Sequence, residues 1–388
     1  MMAADESAVR SEPVPLAQAS TVPARQPRLL EIDALRGLAA MLVVLYHFTV
    51  GYGAEFGWPG SPPSLMFSSA QIGVSIFFVI SGFVIAMTLE RSKTVSDFAL
   101  SRFARLYPPF WTCALMTTAL IAVTGFNPFH LTASGFLATL TMANGLIDQP
   151  FVDPSYWTLT RELLFYAFMA AAFYGAGSRR LTAIILGWVL ATSAYNVLVM
   201  DQNVYGCRSG ASCGAILLNA TFAYLFAAGA MLHRLHAGDR SALVKITLVT
   251  AILAGSVSFW PVQGFQPMFA VKAALYVGLV GIAASGRVRI LRNRPMIFLG
   301  AISYSLYLLH QVIGVYVISV LVERGVHANV AIVLALTVVL TLAAAVCFGV
   351  ERPAQRAIRR FYAERRDGSE PQPPEAPIVP AVQGARLL

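Results

Sequence analysis

Ten apolar runs, most of them near the roughly 20 residues that an α-helix needs to cross a hydrocarbon core, follow one another along this chain. They fall near residues 34–52, 71–89, 108–125, 157–177, 181–200, 214–232, 244–261, 268–286, 296–321 and 329–350. A soluble domain does not repeat such runs, because its surface needs charge. Here 57% of the 388 residues are hydrophobic and only 12% charged, with a mean hydropathy of +0.66. The chain reads as an all-α integral membrane protein with about ten transmembrane helices.

One further stretch, "LTASGFLATLTMANGL" at 131–146, is short and dotted with Thr, Ser and Gly. It is expected to be an interfacial or re-entrant helix, since counting it as a span would invert everything after it. With the N-terminus inside, the inner face then receives Arg91/Lys93/Arg102/Arg105, Arg179/Arg180, Arg234/Arg240/Lys245, Arg287/Arg289/Arg292/Arg294 and the run that begins at Arg352. The outer loops receive only Arg208 and Arg324. That asymmetry predicts two cytoplasmic termini. It also accounts for the net charge of +9 without a nucleic-acid partner.

Three regions follow. Residues 1–30, rich in Ala, Pro, Ser and Gln and lacking an apolar cleavable segment, read as a disordered cytoplasmic tail. Residues 31–355 form the membrane domain, and 356–388 a basic, then Pro-rich, cytoplasmic tail. The four cysteines make no zinc pattern, and no metal site is expected. Cys207 and Cys213 share a polar outer loop, where an oxidising compartment would let them close a small disulfide; two free thiols are the alternative.

Ionisable groups inside spans cost roughly 2.5–3.5 kcal/mol each on insertion scales, so each is a functional candidate. They are Arg36 and His47 in span 1, Arg161 and Glu162 in span 4, Lys272 at the start of span 8 and His310 in span 9. Alone, Arg36 reads equally as an arginine snorkelling to the inner interface, and His47 as one satisfied by a neighbouring helix. Eleven residues at about 100° each return to nearly the same face, about 16 Å further along the axis. Arg36 near the inner mouth and His47 in the outer half thus share one helix face. Counting from the membrane surfaces brings Glu162 and His310 to the level of His47, with Thr158 and Tyr166 flanking Glu162 and Ser303, Tyr307 and His310 forming one stripe. A structural hydrogen-bond cluster is the plainer reading of this convergence. In "SRFARLYPPFW", Arg102 and Arg105 fall on one helical face that Tyr107 and Pro108 are expected to end, and their planar forks suit a phosphate-bearing ligand. Ser81-Gly82 within span 2 suggests close helix packing or a cavity wall.

Taken together, these motifs resemble the membrane-bound acyltransferase family 3, integral-membrane O-acetyltransferases that modify polysaccharides, O-antigen, Nod factors and macrolides. The resemblance covers roughly residues 29–355. It rests on Arg36 and His47 in "IDALRGLAAMLVVLYH", on "GVSIFFVISGFVI", "SRFARLYPPFW" and "YWTLTRELLFY" with Glu162, on "ISYSLYLLHQ" and on "ERPAQ", all in order. The short Pro-rich tail after span 10 leaves an appended SGNH-type esterase domain unexpected.

What the resemblance implies is transfer of an acyl group, usually acetyl, from cytoplasmic acyl-CoA to a hydroxyl of a saccharide or similar acceptor, in a bacterial inner membrane. Acetyl-CoA would be a donor substrate, with no permanently bound cofactor. Arg36, Arg102 and Arg105 would hold the CoA phosphates, and the pantetheine arm would run up the Arg36/His47 face. His47, an imidazole with an ordinary pKa near about 6.5, would act as general base, oriented by Glu162; an acetyl-histidine intermediate is the other route. Asp33, Ser81, Trp157, Tyr166, Tyr304, Tyr307 and His310 are further candidates to line the site, the tyrosines as oxyanion donors. A multi-pass transporter or flippase using the same Arg/His/Glu cluster is the rival reading, against which the chain offers no internal repeat and no Pro-interrupted helix pair.

Overall fold

The structure, a computed structural model, describes residues 29–199 and 206–367, in which every regular element is helical. The expected tails, up to residue 28 and beyond residue 367, lie outside the described residues. The first run forms α1 (Leu30–Tyr46), a π turn over His47–Gly51 and a short α2 (Tyr52–Phe56). Then come α3 (Gln71–Arg91), α4 (Val95–Thr124) and the short α5 (Ala133–Thr139). α6 (Trp157–Ala176) and α7 (Ser178–Leu198) are joined through Gly177 alone, whose φ of 83° is open to glycine. α8 (Gly210–Leu217), α9 (Ala223–His236), α10 (Ala242–Ala254) and α11 (Trp260–Gln263) precede the long C-terminal helices. These are α12 (Pro267–Ala284), α13 (Arg294–Glu323), α14 (Ala328–Val346) and, after a second π turn, α15 (Arg352–Asp367).

Among the described residues seven helices are long and apolar enough to cross a membrane. They are Leu30–Phe56, α3, α4, α7, α12, α13 and Ala328–Tyr362. Of the other three expected runs, α6 carries Arg161 and Glu162, Ala242–Val257 is a shorter apolar helix, and 214–232 is not one helix at all. That run breaks between Leu217 and Ala223, where Asn219 takes a left-handed φ of 56°. The break is stable because the Arg161 guanidinium donates to the Ala215 and Ile216 carbonyls at 3.1 Å, while Asn219 Nδ2 donates back to the Arg161 carbonyl at 3.1 Å. Both carbonyls also accept a backbone N–H, Ala215 from Ala220 and Ile216 from Asn219, each at 2.9 Å, so the buried arginine is a second donor that cross-links the helix end to α6. Periodicity alone could not foresee it.

A second expectation also needs correcting. Tyr107 and Pro108 do not end a helix: α4 opens on a capping box formed by Thr94 and Asp97 and continues through both Pro108 and Pro109. A tertiary contact holds this stretch, Tyr304 of the C-terminal half donating to the Leu106 carbonyl at 3.1 Å, and within the helix Thr112 donates to the Pro108 carbonyl at 2.9 Å. Arg102 and Arg105 therefore project from the first half of a membrane helix rather than from a loop. The 131–146 stretch is, as expected, no span, and gives α5 and a 3₁₀ turn at Asn144–Leu146.

α13 sits at the centre, with α1, α4 and α14 against it. Lipid gives helices no hydrophobic reason to associate, so close van der Waals fit decides the packing. At Gly82 of α3 an added Cβ would collide with the Phe226 carbonyl, and at Gly229 of α9 with the Val79 carbonyl. Each glycine admits the other helix's backbone.

Cross-links gather the basic clusters at one end of the bundle. Arg292 bonds Glu31 at 2.6 Å, Arg105 pairs with Glu351, His233 meets Glu90 at 2.9 Å, and Tyr174 donates to the Ser92 and Thr94 carbonyls. Arg234 reaches the Ser178 carbonyl at 3.4 Å and pairs with Asp239, whose carboxyl is held below its usual range by hydrogen bonds from Ser241 and then by Arg234.

Candidate active site

Two cavities enter the bundle from opposite ends and share two walls, Val74 of α3 and Tyr307 of α13. The first has a volume of about 980 Å³ including its open mouth and is lined by Arg36, Arg102, Arg105, Glu162, Tyr166 and Tyr304 among others. Each arginine comes from the end of the bundle where the basic clusters gather. Arg105 forms an ion pair with Glu351, a carboxylate only 2% exposed whose other oxygen receives the Ser305 hydroxyl at 3.1 Å. Its guanidinium also lies 5.8 Å over the Tyr304 ring. Arg36 is 3.9 Å from Asp33, and Arg102 donates to Ser101 Oγ at 3.3 Å. Glu162 accepts from Ser81 Oγ at 3.0 Å and from the Tyr166 hydroxyl. Such a set of forked cations around an apolar floor is suited to phosphate groups with an extended arm.

The second cavity, about 1470 Å³ with its open mouth, has His47 in its wall. His47 Nδ1 lies 2.9 Å from the Val43 carbonyl and 3.2 Å from His310 Nε2, while His310 Nδ1 lies 2.7 Å from the Tyr307 carbonyl. A carbonyl can only accept, so in the neutral pair each Nδ1 carries the proton. His310 Nε2 then accepts from His47, and His47 Nε2 keeps its lone pair. A histidine with one nitrogen fixed as donor and the other open is what proton abstraction needs.

The turn that carries His310 is held from outside. Asp153, fully buried, accepts from the Val312 N–H at 3.0 Å with one oxygen and from the Ser155 hydroxyl at 2.6 Å with the other. Tyr156 donates to the Leu308 carbonyl at 2.9 Å, and Tyr307 to the Ser155 carbonyl at 2.8 Å. The segment before α6 therefore dips into the bundle and docks on α13.

That dip corrects the depth assigned to Glu162. Counting from a surface start at Trp157 brings Glu162 to the level of His47; with α6 beginning inside the bundle, Glu162 lies in the arginine cavity. His310, not Glu162, is the ring against His47. Arg36 and His47 line different cavities, which have Val74 and Tyr307 as common walls. Ser81, Tyr166, Tyr304 and Tyr307 line the arginine cavity, Tyr307 and Trp157 the histidine cavity, whereas Asp33 lines neither and stands 3.9 Å from Arg36. Sequence reasoning assigned nothing to Asp153, Tyr156 or Glu351. The Asp-Pro-Ser-Tyr order at 153–156 is a helix-start signal that could have drawn attention to the first two. Among the described residues no group of His, Cys, Asp and Glu could hold a metal ion. Cys207 and Cys213 are joined in a disulfide.

The sequence profile of an acyltransferase domain, that of the acyltransferase 3 family, matches residues 29–350. The chain belongs to that family. Acyltransferase 3 relatives include the exopolysaccharide production protein ExoZ of Rhizobium meliloti, 27% identical over 67% of this chain and 80% of its own length. Nodulation protein 10 of Rhizobium leguminosarum bv. viciae is 28% identical over 64% of this chain and 72% of its own. Acyltransferase MdmB of Streptomyces mycarofaciens is 25% identical over 74% and 80%. No solved structure matches the chain. Acyltransferase 3 membership and the seven apolar helices make it a multi-pass membrane acyltransferase.

Proposed function

We propose that this protein transfers an acetyl group from acetyl-CoA, held in the arginine cavity, to a hydroxyl of a carbohydrate in the histidine cavity, with His47 as general base. The observation that carries this reading is the lone pair of His47 Nε2, in a residue on the wall of a cavity that shares Val74 and Tyr307 with the arginine cavity. CoA phosphates would rest on Arg36, Arg102 and Arg105, and the pantetheine arm would pass between Val74 and Tyr307. His47 Nε2 takes the proton of the attacking hydroxyl, the oxygen adds to the thioester carbonyl, and CoA leaves as the thiol once that proton returns. The name of ExoZ, an exopolysaccharide production protein, favours a polysaccharide acceptor.

In this reading the basic end of the bundle faces the cytoplasm, as the positive-inside rule asks. With α6, the α8–α9 pair and α10 added to the seven long helices, the chain crosses about ten times, with both termini cytoplasmic in a bacterial inner membrane. The test is His47→Ala in purified, lipid-reconstituted protein with labelled acetyl-CoA and crude polysaccharide. Loss of acceptor labelling by about 10²–10⁴-fold with an unchanged elution profile is expected; full activity would remove His47 from the chemistry.

A further inference from the structure

The wall of the histidine cavity has an unusual composition for a pocket that would take a polar substrate. Sixteen residues from α1 and the π turn after it, α3, α6, α13 and the segments between helices line it, and none is Asp, Glu, Lys or Arg. Its apolar surface is aromatic, contributed chiefly by Phe151, Trp157, Phe222 and Phe259; its polar groups are hydroxyls and the amides of Gln71 and Gln311. Gln311 holds the most telling position. It lies one helical turn beyond Tyr307 and beside His310, and shares with His47 the wall of this cavity and of a smaller neighbouring one. Its amide oxygen is shielded from solvent and finds no hydrogen-bond partner among the described residues, while the side chain as a whole is half-buried on the wall, so a turn of the amide presents the oxygen to an occupant.

An unmet acceptor of this kind is costly to bury, and the penalty is relieved when a donor arrives. The donor that a base at His47 requires is a hydroxyl. Flat aromatic rings offer surfaces for the C–H face of a sugar ring, while a carboxylate or phosphate taken into this cavity would lose hydration and meet no cation.

We propose that the histidine cavity binds an uncharged sugar unit and that Gln311 receives one of its hydroxyls, fixing which hydroxyl faces His47. The inference rests on the acetyl-transfer reading and narrows its acceptor to neutral glycans. Gln311 acts here on specificity rather than on the donor.

The experiment uses the full-length protein in lipid nanodiscs with labelled acetyl-CoA. It is offered pools of hexasaccharides cut from neutral glucan, galactan and mannan, against pools cut from alginate and polygalacturonate. Labelling of the neutral pools at least about tenfold above the uronate pools is expected, and Gln311→Met should raise the KM for the neutral acceptor about tenfold, the worth of one hydrogen bond, with the KM for acetyl-CoA held. Because donor KM reports the folded arginine cavity, a misfolded variant declares itself, and Gln311→Asn then serves as the second substitution with the same expectation. Equal or preferred labelling of uronates, labelling of neither pool, or an unmoved acceptor KM in both variants would overturn the inference while CoA release left the transfer reading standing. Absence of any CoA release with every acceptor would remove both.

Discussion

His310 Nε2 stands 3.2 Å from His47 Nδ1, and each ring's Nδ1 faces a main-chain carbonyl of its own helix. The pair is therefore ordered: His310 accepts, His47 donates, and the remaining lone pair of His47 is directed away from its neighbour. In a low-dielectric interior such a fixed tautomer is maintained at little cost during reaction. His310 is a positioning residue in this arrangement. Replacing it by Phe keeps the volume and removes the acceptor, and kcat should fall about 10- to 100-fold, part of what a general base contributes, with donor KM unchanged. His310→Gln, which retains an acceptor, should recover part of the rate. Initial-rate measurements on both variants check this; equal rates for Phe and Gln would mean that the ring only fills space.

Arg102 and Arg105 line the same cavity but should respond differently to substitution. Removing Arg105 leaves Glu351 buried with its partner gone, a loss of about 3–5 kcal/mol for a broken buried pair. Arg105→Ala should therefore lower both yield and thermal midpoint. Arg102, which donates to the neighbouring Ser101 and also lies beside the Tyr166 hydroxyl, has no buried carboxylate among the described residues as its ion-pair partner, so Arg102→Ala should cost less stability and instead raise the KM for acetyl-CoA. Thermal unfolding monitored beside donor titration separates the two effects.

How much of this was readable beforehand follows from what each inference used. Seven of the ten expected runs and the gathering of arginines at one end depend on apolar length and charge, and both are local in sequence. Which residues share a face of one helix was also accessible: Tyr307 and His310 recur on α13 as their spacing requires. Depth was not. The count placed Glu162 beside His47 by assuming that α6 starts at a surface, and docking of Asp153 and Tyr156 on α13 involves partners more than 150 residues away. The same holds for the α8–α9 break, which needs a guanidinium from α6. Helix continuity through Pro108 and Pro109 likewise depends on the bundle.

The α3–α9 contact should be intolerant of any side chain at its two glycines. Gly82→Ala places a methyl group against the Phe226 backbone and Gly229→Ala one against Val79, and neither backbone atom can swing aside. Each should cost about 1–3 kcal/mol through overpacking. Gly187, where an added Cβ meets nothing, is the control and should accept Ala without loss. Midpoints of thermal aggregation for the three variants test the ranking.

The Cys207–Cys213 bridge closes a loop with a separation of only 6 residues, so its stabilising effect should be modest, about 2–3 kcal/mol on loop-closure grounds. Intact-mass measurement should register a gain of two hydrogens on reduction. Reduction should loosen the segment around Asp148 and Arg208, which are paired at 3.2 Å beside it, without abolishing transfer. A native mass already at the reduced value would contradict the bridge.

Arg161 and Glu162 are adjacent on α6, and substitutions should divide them cleanly. Arg161 is 2% exposed and its guanidinium gives the Ala215 and Ile216 carbonyls a second donor beside the Ala220 and Asn219 N–H groups. Arg161→Leu removes two charge-assisted bonds from the break, about 1–3 kcal/mol in all, so less protein should survive solubilisation and its midpoint should drop by about 5 °C or more. The fraction that remains folded should transfer acetyl groups at the normal rate, since no part of the guanidinium reaches either cavity's lining. Glu162→Gln should do the opposite. Its amide oxygen can still accept from Ser81 and Tyr166, which preserves the midpoint, while the negative charge among Arg36, Arg102 and Arg105 disappears and donor turnover changes. If Arg161→Leu instead lowered kcat at an unchanged midpoint, the arginine would belong to the chemistry, and the break between α8 and α9 would need another support.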